Sequence, residues 1–175
     1  MIDWPQIIAE HGPAVWRTVY RIVGEEQAAH DCYQETFLAA VQQARQKPID
    51  NWAGLLRALA SRRAIDQLRR RAHRLRMSGG TLAPGAIGDN GSAVPGVDAT
   101  MRHEELRQAV RRELSRMPPR QAEAFCLRHF DEMDADQIAG QMSTTPRKVA
   151  YLLHHAKEHL RQALKDDSAA TRVSR

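Results

Sequence analysis

Along this chain apolar residues recur at three- and four-residue spacing, and no stretch alternates convincingly at period two. That pattern predicts helices and no sheet. In the first half, Trp4, Ile7 and Ile8, then Val15, Val19, Ile22 and Val23, mark one amphipathic face. An interruption is expected near Gly12-Pro13, where proline removes a backbone donor. Ala29, Cys32, Tyr33, Thr36, Phe37, Ala40, Val41 and Ala44 keep the helical spacing without a break until Lys47-Pro48. A third helix is expected from about Asn51, burying Trp52, Leu55, Leu56, Leu59, Ile65, Leu68 and Leu75. The first half thus reads as three or four helices.

The second half reads as four. Leu106, Ala109, Val110 and Leu114 form the first, which stops at Met117-Pro118-Pro119. Proline is well tolerated in the first turn of a helix, and the next carries Ala122, Phe125, Cys126, His129 and Phe130. Asp134 can cap a short third helix, with Gln137 three residues on as an approximate capping box. The chain then breaks at Ser143-Thr144-Thr145-Pro146 and restarts with an apolar stripe of Val149, Leu152, Leu153, Ala156, Leu160, Ala163 and Leu164. Thr145 can cap that last helix and Pro146 sits at its first position. Arg147, Lys148, Tyr151 and His154 project from its opposite face. Two helices meeting at so short a turn read either as a hairpin with a solvated charged face or as a helix-turn-helix whose second helix enters a DNA groove.

Between the halves lies Ser78 to Ala99, with six glycines, two prolines and almost no charge. Glycine frees the backbone and proline blocks helix continuation, so this stretch is expected to be a flexible linker. The expected organisation is all-α, with two small helical domains over 1–76 and 101–167, a linker over 77–100 and a disordered tail over 168–175. Each half is small for a self-sufficient core.

Composition narrows the partners. A net charge of +5 favours an anionic one, nucleic acid or membrane surface, without choosing between them. No apolar run approaches the ~20 residues that span a bilayer. The start, MIDWPQIIAEHG, has neither the basic nor the apolar region of a signal peptide. Cys32 and Cys126 fit no CxxC or disulfide framework and are expected on buried faces, so a reduced, cytoplasmic protein is expected.

Catalytic patterns are missing: there is no Gly-rich phosphate loop, no GxSxG and no HExxH. His155 and His159 stand at i, i+4 but lack an evident third metal ligand. No cofactor, metal or enzymatic activity is expected. The charge pattern is more telling. From Leu56 to Arg76, arginines at 57, 62, 63, 69, 70, 71, 74 and 76 face one acid, Asp66. Arginine forks match phosphate oxygens, and self-repulsion on such a helix is relieved by a polyanion. A merely solvated face would mix in glutamates. Upstream, Glu25, Glu26, Asp31 and Glu35 make a contrasting acidic surface suited to a protein partner.

These residues resemble a known family. HDCYQETFLAAV (30–41) with LLRALASRRAIDQLRRRAHR (55–74) is similar to region 2 of the extracytoplasmic-function sigma factors, and residues 114–164 resemble their region 4. The resemblance implies a factor that binds core RNA polymerase and directs promoter-specific initiation. It implies docking on the clamp helices of the largest polymerase subunit through Asp31, Gln34, Glu35, Phe37 and Leu38. Phe37 is equally a core residue by its periodicity. It also implies contact of region 4 with the flap of the second subunit, and it allows for an anti-sigma factor. Promoter DNA would meet Trp52, Arg62, Arg63, Asp66, Arg69 and Arg70, with the loop 46–51, at the −10 element. At the −35 element it would meet Arg120, Pro146, Arg147, Lys148, Tyr151 and His154. The chain departs from the family pattern in places: Arg62 stands where Asn is usual, Met117, Ala122 and Gln137 replace Leu, Arg and Glu, and Ser143 takes the turn glycine. The competing expectations are a stand-alone helix-turn-helix regulator and an RNA-binding or protein-interaction adaptor.

Overall fold

A computed structural model describes residues 2–78 and 97–173, with the side chains of 97–102 and 166–173 excepted. Among the described residues there are seven helices and no strand: α1 Trp4–Val23, α2 Glu26–Gln46, α3 Trp52–Met77, α4 Val97–Arg116, α5 Pro119–His129, α6 Ala135–Gln141 and α7 Pro146–Val173. The linker expectation falls mostly on residues outside the described ones. α4 already begins at Val97 and α7 continues through Val173, so helix extends into stretches expected as linker and tail.

The helix ends are set by local chemistry. The Asp3 side chain accepts from Gln6 N at 3.0 Å, and Asn51 accepts from Gly54 N at 2.8 Å. Each satisfies an amide that has no partner within its own helix. Asp134 and Gln137 form the capping box read from the sequence, bonding reciprocally at 2.8 and 3.0 Å. Thr145 Oγ1 accepts from Lys148 N at 3.2 Å, and Pro146 opens α7. One expectation fails: α1 runs through Gly12-Pro13 without a break. Pro13 sits on the exposed side and Gly12 on the buried side. The missing donor therefore faces water, while both flanking turns stay anchored in the core.

In the first half α1, α2 and α3 pack around Val15, Val19, Ile22, Ala29, Cys32, Ala40, Leu56 and Ile65. Trp4 and Trp52 close its end edge to face, centroids 5.3 Å apart. Both cysteines are free and buried, as the sequence implied. Burial, then the charges of Glu35 and Asp31, push the Cys32 thiol up to about 12, which keeps it uncharged at neutral pH.

The second half does not stand apart. Leu114, Met117, Ala122, Cys126, Ala156 and Leu160 belong to the same core as α1–α3. A second cluster of Ala124, Leu127, Met133, Ile138, Ala139, Met142, Val149 and Leu152 fills the helix-turn-helix and takes in Ala58 from α3. The larger cluster thus draws on both halves and α3 contributes to each cluster, which answers the shortage of buried surface expected of each half.

Gly24 shows how closely the halves approach. It ends α1 in the left-handed region at φ 73, where glycine carries no steric penalty. A Cβ there would run into the guanidinium of Arg111. Gly24→Ala is therefore expected to lower stability by at least about 1–2 kcal/mol, the cost of a left-handed L-residue alone. At Gly140 in α6 an added methyl group would meet nothing within 4 Å. Gly140→Ala should be neutral or stabilising by up to about 1 kcal/mol. Urea unfolding of the two variants checks both signs.

Candidate nucleic-acid and docking interfaces

α2 presents one face to the core and the other to solvent. Cys32, Thr36, Phe37 and Ala40 are buried, while Asp31, Gln34, Glu35 and Leu38 are exposed. Thr36 is accommodated inside because its hydroxyl donates to Cys32 O at 2.7 Å. Leu38 is 63% exposed, and beside it Ile8 of α1 is 41% exposed. With Trp4, Tyr33, Phe37 and Val41 they line a shallow apolar depression next to the carboxylates. Of the five residues expected to dock on the polymerase, four project outward. Phe37 packs inward, its ring 5.0 Å from that of Tyr33.

α7 divides in the same way. Val149 and Leu152 are buried against α5 and α6, while Arg147, Lys148, Tyr151 and His154 are exposed. Lys148 Nζ lies 4.3 Å above the Tyr151 ring, and His155 packs on that ring from the next turn at 4.2 Å. These contacts hold an outward row of cation and aromatics at the start of the helix. Arg120, from α5, donates to Met142 O at 2.9 Å, which fastens the turn between α6 and α7 to the start of α5. Ser143 in that turn takes φ 48, a left-handed conformation that glycine adopts without steric cost. Its amide and that of Thr144 donate back to Gly140 O and Ala139 O, so the turn closes α6 before α7 begins. Neither His155 nor His159 lies in a group of three or more metal-ligating side chains, among the described residues. His159 Nε2 instead lies 3.1 Å from Glu113 Oε2.

The arginines of the basic helix α3 divide between solvent and the second half. Arg70 is exposed, and Arg63 reaches Glu35 only at 4.0 Å. Asp66 is also exposed, while Trp52 is half-buried against Trp4. Two arginines, however, turn to the second half. Arg62 donates to Glu123 Oε1 at 2.5 Å and to Gln141 O at 3.0 Å. Arg69 donates to Met117 O at 3.0 Å. Around them Arg21 donates to Phe130 O at 2.9 Å, and the Asp131 carboxylate accepts from Thr18 at 2.5 Å and Ser61 at 3.4 Å. The residues that join the halves are thus Thr18, Arg21, Ser61, Arg62 and Arg69 on one side, and Met117, Glu123, Phe130, Asp131 and Gln141 on the other. Of these, Arg62 and Arg69 stood out in the sequence for DNA contact, and Met117 and Phe130 only as a helix end and an apolar position. Nothing local marks a bond between positions separated by 48 to 113 residues.

Burial holds the carboxyls of Glu123 and Asp131 above their ordinary range, opposed by Arg62 for Glu123 and by the Thr18 hydroxyl for Asp131. Arg62→Ala takes from buried Glu123 its hydrogen-bonded counterion and leaves it only the charge of Arg120. The expected loss is about 1–3 kcal/mol, the cost of an unsatisfied buried acceptor. The loss should also depend on pH. A carboxyl whose folded pKa is raised contributes stability that is full at low pH and falls as pH rises through the folded value. Removing Arg62 raises that value further. The deficit of Arg62→Ala against the parent should therefore grow from mildly acid to neutral pH, measured by urea unfolding at each.

Comparison with known proteins fits this geometry. Residues 7–74 match the family model for sigma-70 region 2, and residues 107–160 match that for sigma-70 region 4. The chain is 24% identical over 178 residues to the ECF RNA polymerase sigma factor SigE of Mycolicibacterium smegmatis, covering 99% of this chain and 66% of that protein. The chain thus spans just under two thirds of the length of that relative. Among solved structures it is similar to the sigma factor RpoE from Bartonella quintana, determined in complex with the anti-sigma factor NepR. That likeness has a TM-score of 0.58 and 16% identity, over 93% of this chain and 97% of the other. Region 2 on α1–α3 and region 4 on α4–α7, in that order in one chain, place this protein in the sigma-70 family.

Proposed function

We propose that the chain is an initiation factor that binds core RNA polymerase and directs it to promoters carrying matched −10 and −35 elements. The observation that carries this reading is the pairing, in one chain, of two outward surfaces with opposite chemistry. One is the polar and acidic face of α2; the other is the cation-and-aromatic row that opens α7. The first suits a protein partner, and the second suits a DNA groove. No helix among the described residues is long and apolar enough to cross a membrane. The work assigned to the chain places it in the cytoplasm with polymerase and DNA. A chain of similar fold was solved with an anti-sigma factor, and a partner of that kind belongs to the proposal. The chemistry of RNA synthesis is the polymerase's own.

In this reading Gln34, Glu35 and Leu38 dock on the clamp helices, with Asp31 alongside and Phe37 supporting the helix from within. Arg147 reads a base edge from the start of α7; a bidentate arginine–guanine pair is worth about 1–3 kcal/mol of discrimination. Lys148 and Tyr151 contact backbone or base beside it, and Arg120 secures the turn and adds a phosphate contact. On α3, Arg63, Arg69, Arg70 and Arg62 serve the −10 element with Asp66, Trp52 and the loop before it. The elements are named for positions about 25 base pairs apart, roughly 85 Å at ~3.4 Å per pair. α3 here touches α5 and α6, so engaging both elements requires the seam at Arg62–Glu123 to open.

Two measurements test this. Gln34→Ala with Glu35→Ala should fold normally, since exposed substitutions usually change stability by under about 0.5 kcal/mol. It should compete at least about tenfold less well for core polymerase; equal competition removes the docking assignment. Arg147→Ala, transcribed with core polymerase on a promoter library, should relax preference at one or two −35 positions. Arg120→Ala should weaken all sequences alike with a shallower salt dependence. A failure of the parent chain to support run-off transcription would leave the stand-alone regulator as the better reading.

A further inference from the structure

Where α1 and α3 meet the loop after α5, the seam leaves a polar depression of about 260 Å³. Arg17, Thr18 and Arg21 line it from α1, Arg57 from α3, and Asp131 and Glu132 from the loop. Three guanidinium groups thus share one small space. Each carries five N–H donors. Among the described residues Arg17 and Arg57 make no hydrogen bond to protein, and Arg21 commits one N–H, to Phe130 O at 2.9 Å. Arg57 is short of acceptors although it is half-buried. The carboxylate that bears on it, Asp131, already accepts from Thr18 at 2.5 Å and Ser61 at 3.4 Å. Glu132 is exposed. Against three cations stand two carboxylates, so the lining keeps one positive charge in excess.

We propose that this depression binds a small phosphorylated anion, a mono- or diphosphate held by Arg17, Arg21 and Arg57. Guanidinium forks match the oxygens of phosphate and of carboxylate alike. Three forks around one space favour the phosphoryl group, which offers three or four acceptor oxygens where a carboxylate offers two. The size favours a small ion, since sites that enclose a drug-sized ligand measure about 300–1,000 Å³. None of the side chains proposed above for promoter contact lines the depression, so the anion is a free one and not the DNA backbone. The lining comes from both halves, α1 and α3 from region 2 and the loop 130–132 from region 4. A ligand that binds only where the halves meet stabilises their closed arrangement by mass action, and opening the seam dismantles its site. Neither polymerase nor promoter is needed to form it.

The probes are inorganic phosphate and inorganic pyrophosphate, titrated into the full chain by isothermal calorimetry. Physiological ionic strength screens contacts with single exposed charges. Pyrophosphate should bind at one site, and phosphate more weakly at the same one. Arg17→Gln should weaken pyrophosphate several-fold, and Arg17→Gln with Arg57→Gln at least about tenfold. Glu132→Gln should tighten it several-fold, because the positive excess of the lining rises from one charge to two. Arg45→Gln with Lys165→Gln removes two charges from exposed positions outside the depression and should change nothing. Thermal melts confirm that each variant folds. Arg17 is exposed, so its single variant carries the test if the double variant does not fold. Bound pyrophosphate should slow amide hydrogen exchange in 57–62 and 126–133 together. Absence of binding to the parent chain, an equal loss in the Arg45 and Lys165 variant, or protection confined to another surface overturns the proposal. Malonate that binds as tightly as pyrophosphate makes this a carboxylate site and refutes the phosphoryl assignment. A duplex without promoter elements that displaces pyrophosphate, and itself loses binding with Arg17→Gln and Arg57→Gln, gives the depression to the nucleic-acid backbone instead.

Discussion

One helix has to be interior to two domains at once. α3 gives Leu56, Leu59, Ala60, Ala64 and Ile65 to the core it shares with α1 and α2, and Ala58 to the core of the helix-turn-helix. Its small residues decide how near the halves can come. Ala58, Ala60, Ser61 and Ala64 are almost wholly covered. At Gly54 an added Cβ would lie 2.5 Å from the Gln141 side chain of α6. Long side chains on that surface would hold α5 and α6 away, and the polar bonds across the seam would lose their reach. Ser61 is the telling case. Its hydroxyl is small enough to be covered and still donates to Asp131, so the seam gains a bond without a gap.

Burying polar groups at such a seam is costly unless each finds a partner. Glu123 and Asp131 show both sides of this. Burial alone drives their carboxyls toward the neutral form, and Arg62, Thr18 and Ser61 supply what makes the charged form tolerable. Arg111 is less well served. One nitrogen reaches Glu104 at 3.1 Å, while its buried Nε has no hydrogen-bond partner where the guanidinium lies against Gly24. Its fit there depends on the missing side chain of glycine. A seam assembled this way is specific in register, yet it retains groups that would be better solvated apart.

Periodicity made most of the elements legible because it records which face of each helix is covered. The stripes on α2 and α7, the caps at Asp134 and Thr145, and the proline starts of α5 and α7 are local signals that the structure carries, while on α5 the expected His129 is exposed and Ala124 and Leu127 are buried instead. Pro13 misled because a proline is read locally, while its effect depends on whether the helix is anchored on both sides. The outward residues of α2 and α7 followed from the same stripes, as the faces left uncovered. The seam did not follow. Arg62 looks like its neighbours in a basic run, and only the fold brings Glu123 and the end of α6 against it.

The same arginines suit both states that the proposed function needs. In the docked state Arg62 and Arg69 donate to backbone carbonyl oxygens at Gln141 and Met117. Phosphate oxygens offer those guanidinium groups acceptors of equal geometry and a full negative charge. Each charged hydrogen bond contributes about 1.5–3 kcal/mol to whichever state makes it. Exchanging one set of acceptors for the other therefore changes the free energy by less than either set is worth. What opening must supply is mainly the apolar contact of α3 with α4 and α5, and the ion pair between half-exposed Arg62 and buried Glu123. Opening relieves part of this cost itself, since Glu123 and Asp131 regain water. A factor built on this helix can thus stay closed alone and still be opened by a polymerase and a polyanion, without a covalent change at the seam.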